Sequence, residues 1–265
     1  MALSPIKKTF NPILTSLGKV KENIKFTDTP IIIGGCGRSG TTLLLSIIGA
    51  HPNIYSFPQE LGTFIEWNDS VQYFWDLDKG QGNQVPRLDR FYRSMLKYNI
   101  PNDVTRWCEK SPGNVRYFGE ILDYFDEDVY LIHIVRDGRD VMLSEHPSDP
   151  NTYWVSPERW VSDVKDGLKY KDHPQVLTVK YEDLILNYQQ TINKICDFIN
   201  EKCTSEMDNY FEHTTVKNNS AWYDKAGKIH SNSIEKWKKE ENKSRVAEVM
   251  NYDGVEKLLK ELNYL

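Results

Sequence analysis

No apolar run in this 265-residue chain approaches the ~18 residues of a membrane-spanning helix, so we expect no membrane span. The four cysteines form no C-x-x-C pair and no histidine-linked zinc spacing, which gives no indication of a zinc site. The simplest expectation is four reduced thiols in a cytoplasmic protein. Basic side chains number 33 against 38 acidic ones, and the net charge of −5 gives no support to nucleic-acid binding.

The N-terminus lacks the apolar core and the small-residue cleavage site of a secretory signal. The mildly basic stretch from Met1 to Phe26 fits either an amphipathic transit segment or a loosely docked lead-in, and we favour the lead-in. We therefore predict a lead-in over residues 1–29 and one domain over residues 30–265.

Near the start of the predicted domain is a glycine-rich stretch that contains no lysine. Gly35 and Gly40 have the spacing of a Walker A loop, but Thr41 and Thr42 come next, where that loop has Lys and then Ser or Thr. This absence argues against ordinary ATP or GTP hydrolysis. The stretch still joins a β-branched apolar run to a helix-like segment, an arrangement that gathers backbone N–H groups around an anion. The alternative is a plain glycine turn between a core strand and a core helix.

Strand and helix patterns alternate along the rest of the chain. Each predicted strand is short and nearly all apolar, which is typical of a parallel sheet covered by helices on both faces. We therefore predict a single α/β domain with a central parallel sheet flanked by helices. The predicted strands, besides the first at Ile31–Ile33, are Thr105–Glu109, Val129–Val135 and Val176–Tyr181. The predicted helices are Leu88–Tyr98, Asn114–Phe125, a segment from Val141 that ends near Pro147, Pro157–Lys171, Ile192–Ile199 and Val255–Leu262.

Three further stretches are predicted from composition. Residues 76–87 are polar and contain glycine, so we expect a flexible surface loop. Residues 214–233 are predicted to form an ordered loop or lid. The third stretch contains five aromatic residues, Phe64, Trp67, Tyr73, Phe74 and Trp75. These side chains either line an acceptor cleft or fill the core.

A second candidate anion site follows the strand that ends at Val135. The sequence there is Arg136-Asp137-Gly138-Arg139-Asp140, at the strand end where open α/β sheets bind ligands. With Ser144 eight residues after Arg136, it resembles the 3′-phosphate motif of sulfotransferases that use 3′-phosphoadenosine 5′-phosphosulfate (PAPS). The segment Arg38-Ser39-Gly40-Thr41-Thr42 resembles the 5′-phosphosulfate loop of the same family.

The resemblance implies the P-loop-like sulfotransferase fold, PAPS as sulfuryl donor and no metal requirement. It implies that Arg136 and Ser144 bind the 3′-phosphate and that Tyr181 contacts the adenosine part. Lys110, within Trp107–Pro112, would stabilise charge beside the sulfuryl group, together with Arg38. The segment Lys228–Lys238 is similar to the family's closing loop over the cofactor phosphates, with Lys228, Lys236 and Lys238 as candidates.

An acceptor hydroxyl must lose a proton, so the reaction needs a base. Glu60 stands 22 positions after Arg38, near where family members with a glutamate base carry it. The alternative for Glu60 is a residue that compensates a helix dipole. The acceptor is expected to be a hydroxyl of a small molecule, a glycan or a protein tyrosine. The alternative functions are a P-loop kinase of a small metabolite and a catalytically inactive nucleotide-binding protein.

Overall fold

The computed structural model describes residues 5–65, 67–68, 85–146, 149–216 and 227–265. Five parallel strands form the central sheet in the order β2-β5-β1-β6-β9, numbered along the chain. Two antiparallel ribbons of two strands each lie outside it. The strands are β1 Ile31–Gly34, β2 Ile54–Ser56, β3 Trp67–Asn68, β4 Val85–Pro86, β5 Arg106–Lys110, β6 Tyr130–Val135, β7 Glu145–His146, β8 Asp149–Tyr153 and β9 Val176–Lys180.

Helices lie on both faces of this sheet. They are α1 Pro5–Lys25, α2 Thr41–Ile48, α3 Leu88–Lys97, α4 Phe118–Tyr124, α5 Gly138–Val141, α6 Pro157–Leu168, α7 Tyr181–Leu186, α8 Tyr188–Phe198, α9 Ser205–Asp208, α10 Tyr210–His213, α11 Lys243–Met250 and α12 Val255–Glu261. Short 3-10 turns cover Pro112–Tyr117, Lys236–Lys238 and Glu240–Asn242. No helix in the described ranges combines the length and the hydropathy needed to cross a bilayer.

The side chains of β1 explain why the sheet is covered on both faces. Ile31 and Ile33 belong to the core that includes α2 and α8, whereas Ile32 belongs to the core that includes α3 and α4. All three are fully buried. Because successive side chains of a strand point to opposite faces, this all-apolar run requires cover on both sides. The predicted α/β class and parallel sheet are confirmed.

Most predicted elements are present, but the helix predicted from Val141 to near Pro147 is wrong. The helix there is the single turn α5, and Glu145 then pairs with Tyr153 in the β7–β8 ribbon. Pairing with β8 draws the backbone into an extended conformation, so Ser144 lies between the turn and the ribbon. The edge strand β2 was not predicted, because the Pro and Asn before it indicated only a turn.

The N-terminal segment contains α1, which packs along α3 through Gly18 and Lys21. The expectation about the thiols needs correction. Cys196 and Cys203 form a disulfide with a Cα–Cα distance of 5.7 Å, whereas Cys36 and Cys108 are free and buried. The pair joins the end of α8 to the following turn, a proximity that spacing alone did not indicate. The expectation of four reduced thiols is therefore wrong for two of them.

The aromatic stretch is only partly described. Phe64 is fully buried in the core beside α3, so it fills the core. The side chain of Trp67 and the whole of Tyr73, Phe74 and Trp75 lie outside the described residues, as does most of the predicted loop 76–87. Residues 217–226 of the predicted lid lie outside them as well.

Candidate active site

The glycine-rich loop turns sharply from β1 into α2. Arg38 and Gly40 both have left-handed backbone conformations, with φ of 68° and 93°. Gly40 precedes the first residue of α2, and a Cβ there would lie 2.4 Å from Cδ2 of Tyr181. Only glycine fits this position, because both its φ and the close aromatic ring exclude a side chain. The turn brings the N-terminus of α2, with its unpaired N–H groups, to the carboxyl edge of the sheet.

Lys110 supplies the ammonium group that the loop itself lacks. It ends β5, the strand next to β1, and its side chain is 1% exposed. Its Nζ donates to Oγ1 of Thr42 at 2.9 Å and to Oε1 of Glu60 at 2.6 Å. Glu60 is 45% exposed, so its carboxylate joins a buried ammonium to the open crevice. We call residues 35–42, Lys110 and Glu60 the loop pocket.

A buried polar network supports this pocket from below. Glu109 is fully buried and accepts hydrogen bonds from Asn114 Nδ2 at 2.8 Å and Ser111 Oγ at 3.4 Å. Asn114 also donates to the carbonyl of Ile33, and Ser111 Oγ accepts from the N–H of Gly62 at 3.3 Å. Burial raises the pKa of Glu109 to about 7, although its hydrogen bonds and Lys110 act in the other direction. The network therefore connects β1 to the segment that carries Glu60.

Arg136 forms the centre of a second pocket at the end of β6. One guanidinium nitrogen donates to the carbonyl of Arg38 at 2.9 Å, and another donates to the carbonyl of Ser233. Its carbon lies 4.6 Å from the centroid of the Tyr181 ring, and the Tyr181 hydroxyl is 2.6 Å from Ser233 Oγ. We call Arg136, Tyr181 and Ser233 the Arg136 pocket. It lies against the loop pocket through Arg38 and Gly40.

Asp140 holds the C-terminal segment over this second pocket. Its two carboxylate oxygens accept from the N–H groups of Glu235 at 2.8 Å and Trp237 at 3.0 Å. Burial raises the pKa of Asp140 in spite of these two donors. Arg139 binds Asp137 and stacks on Trp237, with 3.6 Å between its guanidinium carbon and the ring centroid. The Arg136–Asp140 motif thus contacts the glycine-rich loop through Arg136 and the C-terminal segment through Arg136, Arg139 and Asp140.

A sequence profile described as the sulfotransferase family matches residues 30–206. The chain belongs to the sulfotransferase family. It is 24% identical over 199 residues to a putative protein-tyrosine sulfotransferase of Caenorhabditis briggsae, a match covering 69% of this chain and 69% of that protein. It is 27% identical over 191 residues to protein-tyrosine sulfotransferase 2 of Gallus gallus, a match covering 64% of this chain and 50% of that one.

Two solved sulfotransferase domains share the fold. The domain of a Synechococcus olefin synthase superposes with a TM-score of 0.57 at 18% identity, covering 86% of this chain and 96% of that domain. The domain from the curacin biosynthetic pathway gives 0.55 at 18% identity, covering 86% and 99%. A sequence match to protein-tyrosine sulfotransferase A of Caenorhabditis elegans covers 49% of that protein. This chain therefore spans about half the length of that relative.

The predicted site residues of this sulfotransferase lie in four places. The loop pocket contains Ser39, Gly40, Thr41, Thr42, Glu60 and Lys110, and the adjoining Arg136 pocket contains Arg136 and Tyr181. Arg38 joins the two through its carbonyl, which accepts from Arg136, while its side chain is exposed. Ser144 is half-buried after α5, where its carbonyl accepts from Trp154. The three C-terminal lysines are all exposed. Lys228 lies over the Phe211 ring and Lys238 pairs with Glu235.

The sequence did not indicate the contacts of Ser233, Asp140 and Glu109 around the two pockets. Ser233 lies inside the segment that resembles the closing loop, where the charge of the lysines was the stronger signal for anion binding. Glu109 immediately precedes Lys110 in β5, and two adjacent charged residues in a predicted buried strand were the available signal. Within the described ranges, no group of three or more His, Cys, Asp or Glu side chains could hold a metal ion.

Proposed function

We propose that this sulfotransferase transfers a sulfuryl group from PAPS to an acceptor hydroxyl, with Glu60 as the general base. The observation that carries the proposal is the Lys110 ammonium, which contacts both Thr42 of the phosphate-binding loop and the Glu60 carboxylate. The side chains proposed as charge stabiliser and as base are therefore neighbours at the carboxyl edge of the sheet. The family membership favours this activity over a metabolite kinase.

Unpartnered polar atoms in both pockets support PAPS as the donor. Ser39 Oγ and Arg136 Nε are buried and have no hydrogen-bond partner among the described residues. Buried polar groups are otherwise nearly always paired, so two such atoms in adjoining pockets fit a ligand with two anionic groups. The loop, with Ser39, Gly40, Thr41 and Thr42, would hold the 5′-phosphosulfate. Arg136, Ser144 and Tyr181 would hold the 3′-phosphate and the adenosine, with Lys228, Lys236 and Lys238 adding positive charge from the C-terminal segment.

The reaction then divides between three side chains. PAPS supplies the sulfuryl group, the acceptor oxygen forms the new bond to sulfur, and the bond from sulfur to the phosphate oxygen breaks. Glu60 accepts the proton of the attacking hydroxyl. Lys110 and Arg38 face the negative charge that collects on the leaving phosphate, and Lys110 has one N–H beyond the two that contact Thr42 and Glu60. Positioning and electrostatics account for the catalysis.

We further propose a phenolic hydroxyl, such as that of a protein tyrosine, as the first acceptor class to test, ahead of small-molecule alcohols and glycans. The names of the relatives from Caenorhabditis briggsae and Gallus gallus support this order. The catalytic unit is proposed to cover residues 30–265, because β1 begins at Ile31 and α12, near the C-terminus, packs into the core beside α6.

Two measurements test the proposal. 3′,5′-Bisphosphoadenosine should raise the melting temperature, because a ligand that binds only the folded state stabilises it, and ATP with magnesium should raise it less. Labelled PAPS incubated with tyrosine peptides, phenols, alcohols and glycans should then label one class. A larger shift with ATP would favour a kinase. Tight bisphosphate binding with no labelled product from any class would favour an inactive nucleotide-binding protein.

A further inference from the structure

Helix α1 carries its apolar residues on the side that faces away from the domain. Its outward side chains Ile13, Leu17, Val20 and Ile24 are between 53% and 77% exposed. A surface helix normally buries its apolar stripe and exposes its polar face. This helix has the opposite arrangement, which leaves a row of large aliphatic side chains without cover in the described structure.

The inward face of α1 is fixed by close and specific contacts. A Cβ on Gly18 would lie 2.0 Å from the carbonyl oxygen of Tyr92 in α3, so the two helices touch through their backbones. Lys21 Nζ donates to the carbonyl of Met95 at 2.6 Å, and Trp107 Nε1 donates to Glu22 Oε1 at 3.2 Å. Rotating α1 to bury its aliphatic row would break all of these contacts. The outward orientation is therefore a property of the fold.

The spacing of the outward residues is that of a coiled coil. The outward residues Ile13, Leu17, Val20 and Ile24 follow one another in steps of four, three and four, and we call these four residues the seam. In the sequence the same steps continue back to Phe10 and Ile6. Two apolar positions per heptad form the narrow contact surface of one helix on another, whereas a helix that packs on a globular core has a broader stripe. The four seam positions span two heptads, and the exposed Leu14 beside them adds to the apolar surface.

The flanks of the seam also suit a second helix of the same sequence. Among the described side chains, Ser16 and Asn23 line one side and carry no charge. On the other side Leu14 is apolar, and Lys21 is directed to the Met95 carbonyl. Two identical seams can therefore approach each other without like charges along this part of the contact. Helix pairs of this kind form two-fold interfaces in which each copy presents the same surface.

The positions of the lysines argue against a lipid surface as the partner. A helix that binds membranes directs its lysines toward the anionic headgroups beside its apolar face. Among the side chains of α1 that the structure describes, those of Lys19, Lys21 and Lys25 are only half-exposed and lie toward the domain. We propose that α1 is a dimerisation helix, whose seam pairs with the seam of a second copy of this chain.

Light scattering after gel filtration of the full chain tests the proposal across a micromolar concentration series. The wild type should pass from monomer to dimer, and Leu17→Glu should stay monomeric at every concentration. The matched control is Leu186→Glu, which changes another exposed leucine, 63% exposed on α7, and should dimerise like the wild type. A monomeric wild type, or a Leu17→Glu variant that still dimerises, would overturn the proposal.

A cysteine variant gives a second, independent test. Leu17 lies near the middle of the seam, so Leu17→Cys should form an intermolecular disulfide under mild oxidation. The cysteines of the chain itself are buried or already paired. Vesicles of phosphatidylcholine and phosphatidylserine should not sediment the wild type, and co-sedimentation of a monomer would replace the second copy with a lipid surface. Bisphosphate binding is measured on every variant and should be unchanged, so this proposal and the proposed function succeed or fail separately.

Discussion

The loop pocket and the Arg136 pocket adjoin, but they are built differently. The loop pocket uses strand ends and buried groups, with Lys110 1% exposed and its supporting Glu109 fully buried. The Arg136 pocket is completed by Ser233, 97 residues later in the chain. Asp140 holds the segment that carries Ser233 in place. A pocket fixed by the core is suited to chemistry, whereas one completed by a surface segment is suited to ligand capture and release. Changes in the first should therefore affect turnover, and changes in the second should affect affinity.

The largest expected effect is that of Glu60→Gln. Glutamine keeps the size and hydrogen-bonding capacity of the side chain but cannot accept a proton, so turnover should fall by roughly 10²–10⁴-fold. Bisphosphate affinity should stay within a few-fold of the wild type. Steady-state kinetics with the acceptor from the screen, together with calorimetric titration, measure the two effects. The neighbouring Gln59→Ala is the control and should change neither. Unchanged turnover in Glu60→Gln would leave Glu60 only an electrostatic partner of Lys110.

A change at Glu109 tests whether the buried network beneath the loop pocket makes the free energy of unfolding depend on pH. Its pKa is raised from 4.5 to about 7, so the folded protein holds this proton more tightly than the unfolded chain does. The resulting stabilisation is complete below the unfolded pKa and is lost as the pH rises through about 7, a change of up to about 3 kcal/mol.

In Glu109→Gln the side chain stays neutral, so this loss should disappear and the variant should gain stability relative to the wild type at mildly alkaline pH. Urea unfolding at about pH 5 and about pH 8 measures the difference. Glu120→Gln changes an exposed glutamate and should leave the wild-type pH dependence intact. If the free energy of unfolding changes equally with pH in the wild type and in Glu109→Gln, Glu109 is charged throughout this range.

Arg136→Ala should weaken binding of the bisphosphate by roughly 1.5–3 kcal/mol, the worth of a hydrogen bond to a charged group. Adenosine 5′-phosphate has no 3′-phosphate to lose, so its affinity should barely change. Calorimetric titration of both ligands into wild type and variant separates the two cases. Equal losses for both ligands would mean that Arg136 acts through the Arg38 carbonyl on the loop pocket instead.

The smallest effect is expected for Asp140→Asn. An amide has only one acceptor oxygen, so one of the two bonds to the N–H groups of Glu235 and Trp237 is lost, at a cost of roughly 0.5–1.5 kcal/mol. Bisphosphate affinity should fall no more than about tenfold, chiefly through faster dissociation, as stopped-flow displacement would show. Asp172→Asn, at an exposed position, is the control. A change in the chemical step would contradict the division between the two pockets.

The sequence predicted the sheet and the loop well because both depend on local patterns. Ile31, Ile32 and Ile33 indicate a strand covered on both faces, and the Gly40-Thr41-Thr42 turn follows from the need for φ above zero and for N–H donors. The contact of Lys110 with Thr42 could be placed only by the family resemblance, because it depends on which strand lies next to β1.

Long-range pairing explains the misses. Ser233 meets Arg136 only after the chain has returned across the sheet, and no local spacing encodes that contact. The helix predicted beyond Val141 failed because strand pairing of Glu145 with Tyr153 outweighed local helical periodicity. The sequence also did not predict which face of α1 is exposed, because the composition of the helix does not tell which side the domain covers.

The bond from Arg136 to the Arg38 carbonyl gives the two pockets a shared backbone group. Arg38 lies in a left-handed turn, so fixing its carbonyl also fixes the direction of the N–H groups that follow it. Occupation of one pocket should therefore lower the entropy that remains to be lost on filling the other. The binding free energies of the two halves of the nucleotide should not add, and a ligand cycle over adenosine, its two monophosphates and the bisphosphate should give a favourable coupling term.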